Sequence, residues 1–171
     1  MYRLRGFFIM EIKIRQAGPA DLSDILDLMA KFAEHVSLTD YLTATKDRLS
    51  RAVFGEGAFV EMLVAAEKHE LVGYAIYYPH FSSFRAEQGF YLEDIFVAEH
   101  SRGRGIGLKM VKYIARQAAE RSFNRIDFQV LSTNTTALKF YEDLGADVNK
   151  DEFRMKFSGS AFDRLAAVIC L

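Results

Sequence analysis

The segment from Val97 to Gly107 constrains the fold of this 171-residue chain more than any other. It joins an apolar, strand-like run to an amphipathic, helix-like run, and it contains Arg102, Gly103, Arg104, Gly105, Ile106 and Gly107. The first N–H groups of a helix have no partner within the helix, and the helix dipole adds positive charge at the same place. Glycines allow the backbone to approach a ligand closely. A strand, a glycine-rich turn and a helix start therefore predict an α/β unit whose turn holds phosphate groups.

The glycine spacing separates this turn from two other phosphate-binding motifs. Gly103, Gly105 and Gly107 form G-x-G-x-G, whereas the dinucleotide-binding fingerprint requires G-x-G-x-x-G. The G-x-x-x-x-G-K-[ST] phosphate loop is absent from the sequence. Taken alone, the turn is also compatible with a simple connection between a strand and a helix. The flanking sequence is needed to distinguish this from a phosphate-binding turn.

Hydrophobic periodicity divides the chain into strands and helices. Alternating or continuous apolar residues predict strands within 12–15, 59–67, 71–78, 89–97, 126–130 and 153–157. Apolar residues at helical spacing predict helices within 22–33, 49–53, 108–118, 134–144 and 158–171. Residues 35–45 and 79–88 show weak periodicity and are predicted to be loops. This order predicts one α/β domain over residues 1–171, in which helices flank a mixed, mostly antiparallel central sheet.

The composition argues against several classes of protein. Lys and Arg number 22 and Asp and Glu 23, so the net charge of −1 gives no sign of a nucleic-acid partner or of binding to an anionic membrane. No apolar run is long enough to span a bilayer. Residues 1–10 lack the features of a cleaved signal peptide and are predicted to be an N-terminal extension. The single cysteine, Cys170, fits a reducing compartment, and we expect the protein to be cytoplasmic.

A second motif follows the first, one predicted helix and one predicted strand later. It contains Asn134, Ala137, Phe140, Tyr141 and Gly145, in the pattern N-x-x-A-x-x-F-Y-x-x-x-G. Together with the R-x-x-G-x-G pattern of the turn, it resembles the GNAT family of acetyl-CoA-dependent N-acetyltransferases. The resemblance implies direct transfer of an acetyl group from acetyl-CoA to an amine, and we expect no metal cofactor.

Stretches spread along the chain narrow this resemblance to the diamine (spermidine/spermine) acetyltransferases and their thialysine-acetylating relatives. These stretches are residues 14–17, 21–26, 54–56, 72–78, 91–94 and 153–154. One departure stands out, because polyamine enzymes of this type place acidic and tyrosine side chains where this chain has His35 and Val36. An apolar valine cannot pair with an ammonium group, so a short diamine or a lysine analogue is as reasonable an acceptor as a polyamine.

The resemblance also assigns roles on the acceptor side. Glu93 is expected to bind the amine and to take its proton, although a strand carboxylate can also simply pair with a neighbouring arginine. Asp94 and His35 are the further candidate substrate contacts. Because side chains alternate along a strand, Asp94 is expected to face away from Glu93 and not to share its role.

On the cosubstrate side, the resemblance implies that backbone N–H groups stabilise the thioester oxygen and that the turn holds the pyrophosphate. The residues concerned are Ile95, Phe96 and Val97 for the first role, and Arg102, Gly103, Arg104, Gly105, Ile106 and Gly107 for the second. Asn134 would contact the pantetheine arm, but capping of its own helix explains it equally well. Tyr141 would protonate the leaving thiolate, whereas its structural alternative is an ordinary core tyrosine.

Two other functions remain open from the sequence. A protein or peptide N-acetyltransferase would share the cosubstrate site, and a non-catalytic acyl-CoA-binding module would need neither Glu93 nor Tyr141. The apolar residues of the predicted helix 158–171 need a partner surface, and enzymes resembling this one commonly form homodimers. We therefore expect a homodimer that acts on a small-molecule amine.

Overall fold

The computed structural model describes residues 11–152 and 154–167 of the chain. These residues divide into two compact units, one that ends at Gln129 and one that begins at Val130, and each is described by itself. The predicted N-terminal extension 1–10, Phe153 and Cys170 lie outside the described residues.

The first unit is built on one five-stranded sheet. Its strands are β1 (Ile12–Gln16), β2 (Glu61–Glu67), β3 (Glu70–Ser82), β4 (Glu87–Val97) and β5 (Ile126–Phe128). They lie in the order β1-β2-β3-β4-β5, with antiparallel pairing up to β4 and parallel pairing between β4 and β5. The predicted fold class, a mixed and mostly antiparallel sheet flanked by helices, is confirmed.

Helices cover both faces of this sheet. The helices of the first unit are α1 (Leu22–His35), α2 (Lys46–Phe54) and α3 (Ile106–Glu120). The apolar residues of α3 recur at helical spacing and bury Ile106, Met110, Ile114 and Ala118 against one face. Ile25 and Leu28 of α1 pack on the other face, which we call the α1 face.

The prediction of a loop over residues 79–88 is wrong, because β3 and β4 continue through most of it as a long hairpin. Pro79 lies inside β3, opposite Phe90 of β4. Pairing between β2 and β3 starts only at Glu61 and Tyr77, so Pro79 lies where β3 has one strand neighbour in place of two. A proline without an N–H group is tolerated at such an edge position.

A β-bulge interrupts β4 in the middle of its pairing with β3. Leu92 lies opposite Tyr77 and Asp94 lies opposite Ile76, which leaves Glu93 as an extra residue on β4. In a bulge, two residues of one strand lie opposite one residue of the partner strand, so the regular alternation of side chains is interrupted there.

The second unit carries α4 (Thr135–Asp143) and α5 (Ser160–Ala166). Helix α5 is shorter than the predicted helix 158–171, whose last four residues lie outside the described part. The predicted strand 153–157 is also wrong, since its described residues pair with no other described strand. Their apolar alternation leaves Met155 and Phe157 exposed, and a strand without a hydrogen-bonded neighbour is not stable by itself.

Candidate active site

The bulge corrects the expectation that Glu93 and Asp94 face opposite sides of the sheet. Leu92 and Ile95 both pack with the α3 core, so the two residues between them lie on the opposite side. Asp94 pairs with Ile76, which belongs to the core under α1, and Glu93 accepts a hydrogen bond from the Tyr78 hydroxyl at 3.0 Å. Both carboxylates therefore lie on the α1 face.

Tyr74 lies beside this acidic pair. Its ring is fully buried in the core under α1, and its hydroxyl has no hydrogen-bond partner among the described residues. Burial, together with the negative charge of Asp94, raises the pKa of Tyr74. The Tyr74 hydroxyl therefore keeps its proton at neutral pH.

The sheet opens beside the last part of β4. Pairing of β4 with β5 covers Phe90, Tyr91 and Leu92 and goes no further among the described strands. Ile95, Phe96 and Val97 pair with β3 alone, at Ala75, Tyr74 and Gly73. Backbone groups of this segment that point away from β3 consequently face the side where β5 is absent.

The glycine-rich turn leaves the backbone open at the start of α3. Gly103 and Gly105 have φ values of +73° and +72°, and a Cβ atom at either position would meet no protein atom within 4 Å. Gly105 is the N-cap of the 15-residue α3 and has no side chain to cap the first turn. Uncapped N–H groups, the positive end of the helix dipole and open space beside the backbone are compatible with a bound phosphate group.

The two arginines of this turn already have protein partners. Arg102 donates from Nε to the Val97 carbonyl at 2.9 Å, and its guanidinium carbon lies 5.5 Å from the centre of the Phe96 ring. Arg104 donates two hydrogen bonds to Glu67, at 2.6 and 2.8 Å. The hydrogen bond from Arg104 lowers the pKa of Glu67, so this carboxylate is ionised beside the turn at neutral pH.

His35 is the last residue of α1 and does not lie in the predicted loop. Its ring lies 6.5 Å from that of Phe96. Both line a pocket of about 390 Å³ that also involves Lys31, Glu34, Ala98, Glu99, His100 and Arg102. The structure thus brings His35 together with Phe96 and Arg102, whereas Glu93 does not line this pocket.

In the second unit, Asn134 and Tyr141 belong to the same helix. The Asn134 side chain caps α4 by accepting a hydrogen bond from the Ala137 N–H at 3.1 Å. Tyr141 lies about two turns after Asn134, is buried, and packs edge-on against Phe140. Burial raises the pKa of Tyr141 to about 12, so its hydroxyl keeps a proton that it can donate.

Sequence reasoning missed the support of Glu93 by Tyr78. Tyr78 and Tyr91 pair across β3 and β4, and their rings stack with centroids 5.5 Å apart. The sequence signal was the alternation of Tyr74, Ile76 and Tyr78 along β3, which places these side chains on one face.

The described part of the chain shows neither a metal-binding cluster nor a membrane-spanning helix. Residues 11–152 and 154–167 contain no group of three His, Cys, Asp or Glu side chains that could hold a metal ion. None of the helices in these ranges is long and apolar enough to cross a membrane.

Comparison with known proteins assigns the chain to a family. Residues 22–146 match the sequence profile of the acetyltransferase (GNAT) family. Thialysine N-epsilon-acetyltransferase of Bos taurus is 33% identical over 166 residues, which cover 91% of this chain and 97% of that protein. L-ornithine N5-acetyltransferase of Arabidopsis thaliana is 35% identical over 95 residues, which cover 56% of this chain and 42% of that protein.

A solved structure has a similar fold. An integron cassette protein from the mobile metagenome of V. cholerae superimposes with a TM-score of 0.78 and 28% sequence identity, covering 93% of this chain and 99% of that one. The profile match spans the acidic pair on β4, the glycine-rich turn and all of α4. The chain therefore belongs to the GNAT family of acetyltransferases.

Proposed function

We propose that Glu93 receives the proton of a small-molecule primary amine when the protein acetylates that amine with acetyl-CoA. The protein is an acetyl-CoA-dependent N-acetyltransferase, by its family and its named relatives. The observation that carries the role of Glu93 is the bulge, which presents Glu93 and Asp94 on one face beside the open segment of β4. A pair of carboxylates on one face attracts an ammonium group.

Deprotonation of the amine is the first task of the site. An alkyl ammonium has a pKa of about 10.4, so almost all of the acceptor arrives protonated at neutral pH. Glu93 binds this cation and takes its proton, directly or through one water molecule. The hydrogen bond from Tyr78 holds the carboxylate of Glu93 in place.

Stabilisation of the attacked carbonyl is the second task. Acetyl-CoA supplies the thioester, and negative charge develops on its carbonyl oxygen when the amine attacks. We assign the N–H donors for this oxygen to Ile95–Val97, where β4 has no β5 neighbour among the described strands. Such preorganised donors are worth roughly 10²–10³-fold in rate.

Protonation of the leaving thiolate is the third task, and we assign it to Tyr141. Its pKa of about 12 keeps the hydroxyl protonated at the pH at which the amine must attack. The leaving thiolate then takes its proton from the Tyr141 hydroxyl, which is protonated at this pH.

Binding of the cosubstrate is assigned to the turn and to the start of α4. The turn N–H groups of Gly103–Gly107 would hold the pyrophosphate, and Arg102 and Arg104 add positive charge beside them. Asn134 would contact the pantetheine arm while capping α4.

The acceptor is proposed to be an aliphatic primary amine of modest size, such as a short diamine or a lysine analogue. Val36 caps the C-terminus of α1, at the place where polyamine enzymes carry side chains that bind a long polycation. The relative of highest coverage named above acetylates thialysine, by its name. His35, which lines the pocket together with Phe96, is proposed as a further substrate contact.

Assembly and location are proposals as well. Phe162 and Leu165 of α5 are 56% and 63% exposed, and their burial in a homodimer would remove apolar surface from water. A monomeric mass in solution at micromolar concentration would rule the homodimer out. The single cysteine supports a cytoplasmic location.

A panel of acceptors tests the function. CoA release from acetyl-CoA is measured with diamines, polyamines, thialysine, L-ornithine and peptides, in the wild type and in Glu93→Gln. We expect turnover with a small amine and a fall of roughly 10²-fold or more in kcat for Glu93→Gln. Glu56→Gln makes the same chemical change at an exposed carboxylate in the loop after α2 and should leave kcat unchanged. Turnover on peptides alone, or full activity of Glu93→Gln, would contradict the proposal.

A further inference from the structure

A second charged group lies on the α1 face, one strand away from the acidic pair. Tyr78, Tyr91 and Asp127 form one row across β3, β4 and β5, so their side chains lie on the same face. His80 follows Tyr78 by two residues on β3, and its Nε2 lies against Oδ2 of Asp127. The ring of His80 also meets that of Tyr91 edge-on, with centroids 6.2 Å apart.

Arg125 completes this group, and its position is fixed by Asp127 and by Gly89. Its Nε and Nη2 donate to the two carboxylate oxygens of Asp127 at 2.7 and 2.6 Å. Its side chain crosses β4 at Gly89, where a Cβ atom would lie 2.4 Å from Cγ of Arg125 and 2.9 Å from its carbonyl oxygen. No other residue type at position 89 leaves room for this arrangement, so Gly89, Arg125 and Asp127 form one unit.

Arg125 keeps donor capacity that the unit itself does not use. Burial alone would raise the pKa of Asp127, but the bonds from Arg125 and the proximity of His80 lower it, so Asp127 is a carboxylate. Both of its oxygens are occupied by Arg125 and His80. Nη1 of Arg125 makes no hydrogen bond to a described residue. A guanidinium has five donors and no acceptor, so a ligand of this unit has to offer oxygen atoms.

The distance between this unit and Glu93 follows from the sheet. Asp127 lies opposite Tyr91, and Glu93 follows Tyr91 by two residues along β4. Two residues of strand and one strand spacing correspond to roughly 8 Å between the two Cα positions. The stacked rings of Tyr78 and Tyr91 form the floor between them. The α1 face thus has carboxylates at one end and an unused guanidinium donor at the other.

We propose that Arg125, held by Asp127 over Gly89 and beside His80, forms a subsite for the carboxylate of an amino-acid acceptor whose terminal amine lies at Glu93. This proposal rests on the proposed amine acetylation. It specifies that the acceptor is an amino acid with a terminal side-chain amine, and not a simple diamine. Arg125 contacts the ligand carboxylate through Nη1, while its bonds to Asp127 fix the orientation of the guanidinium plane.

Matched pairs of acceptors test this subsite. L-lysine is compared with 1,5-diaminopentane, and L-ornithine with 1,4-diaminobutane, since each diamine lacks only the carboxylate of its partner. The wild type should have a higher kcat/KM for the amino acid of at least one pair. A diamine that matches or exceeds its amino acid in both pairs would overturn the proposal without any variant.

Two variants then test whether Arg125 causes the preference for the amino acid. Arg125→Met removes the guanidinium donors, and Gly89→Ala displaces the Arg125 side chain from its position over β4. Each should raise KM for the amino acid at least about tenfold and leave KM and kcat for the diamine within twofold. Arg116→Met is the control, because Arg116 is an exposed cation of α3, on the opposite side of the sheet.

Failure of the subsite and failure of the proposed function give different results. Equal loss on both members of a pair shows that Arg125 acts on folding or on the acetyl transfer itself and overturns the subsite. Absence of turnover on every amine would contradict the proposed function. The subsite is then tested by calorimetry in the presence of CoA, where L-lysine should bind more tightly than 1,5-diaminopentane. Circular dichroism of both variants separates lost binding from lost folding.

Discussion

The glycine-rich turn makes the most direct test of the cosubstrate site. Gly105 is held at φ 72° and ψ 14°, the left-handed conformation, at the start of α3. An alanine in this region costs about 1–2 kcal/mol, partly offset by a less flexible unfolded chain, so the net loss should be about 1 kcal/mol. For a chain of this size, that corresponds to a fall in Tm of roughly 2–4 °C.

Gly57 is a matched control for that strain. It has φ +71°, and a Cβ atom there meets no protein atom within 4 Å, as at Gly105. Gly57→Ala and Gly105→Ala should therefore lower Tm by similar amounts in thermal melts followed by circular dichroism. Only Gly105→Ala places a methyl group beside the uncapped N–H groups of α3.

Calorimetric titration with CoA then separates strain from function. We expect Gly105→Ala to weaken CoA binding at least about tenfold, because the added methyl group keeps the pyrophosphate from the backbone N–H groups. Gly57→Ala should bind CoA within twofold of the wild type. If Gly105→Ala shows the expected fall in Tm and still binds CoA with wild-type affinity, the turn is a structural connection and the assignment of the pyrophosphate site is wrong.

Three further predictions concern single side chains. Tyr141→Phe should lower kcat by roughly 10²-fold or more, with CoA affinity by calorimetry unchanged; an unchanged kcat would remove Tyr141 as the acid. Arg104→Met should weaken CoA binding several-fold, whereas Glu67→Gln removes a neighbouring negative charge and should leave binding equal or tighter; parallel losses would show that the pair only positions the turn. The hydrogen bond from Arg15 lowers the pKa of Asp21, so its stabilisation is present above the unfolded pKa of about 3.9 and is lost as pH falls through the folded value. The difference in Tm between wild type and Asp21→Asn should thus be constant from pH 7 to about 5 and shrink towards pH 2, and a difference independent of pH would contradict this.

The sequence was sufficient for the parts of the fold that depend on local periodicity. Apolar residues at helical spacing located α1 and α3, and the glycines after β4 located the turn, because both signals are properties of one short segment. The long β3–β4 hairpin was missed for the opposite reason. Its outer half has a strand partner on one side only, so its side chains are polar or aromatic and Pro79 is tolerated.

The subsite at Arg125 could not have been found from sequence. Gly89 and Arg125 lie on different strands, and the need for glycine at position 89 arises only when β5 pairs with β4. Nothing within either segment indicates which residue crosses which strand. The bulge is different, since the apolar residues of β4 change from even to odd positions between Leu92 and Ile95. That change of phase is a readable signal for one extra residue.

The bulge explains how one strand serves a core and an active site at once. If β4 were regular, alternation would put Asp94 on the side of Leu92, within the apolar core under α3, or else would turn Ile95 away from it. The extra residue at Glu93 shifts the phase by one, so Leu92 and Ile95 both pack with α3 while Glu93 and Asp94 both reach the α1 face. The bulge breaks the ladder of backbone hydrogen bonds at one step. In return, two adjacent carboxylates lie on one face, next to the segment of β4 whose pairing with β5 has ended.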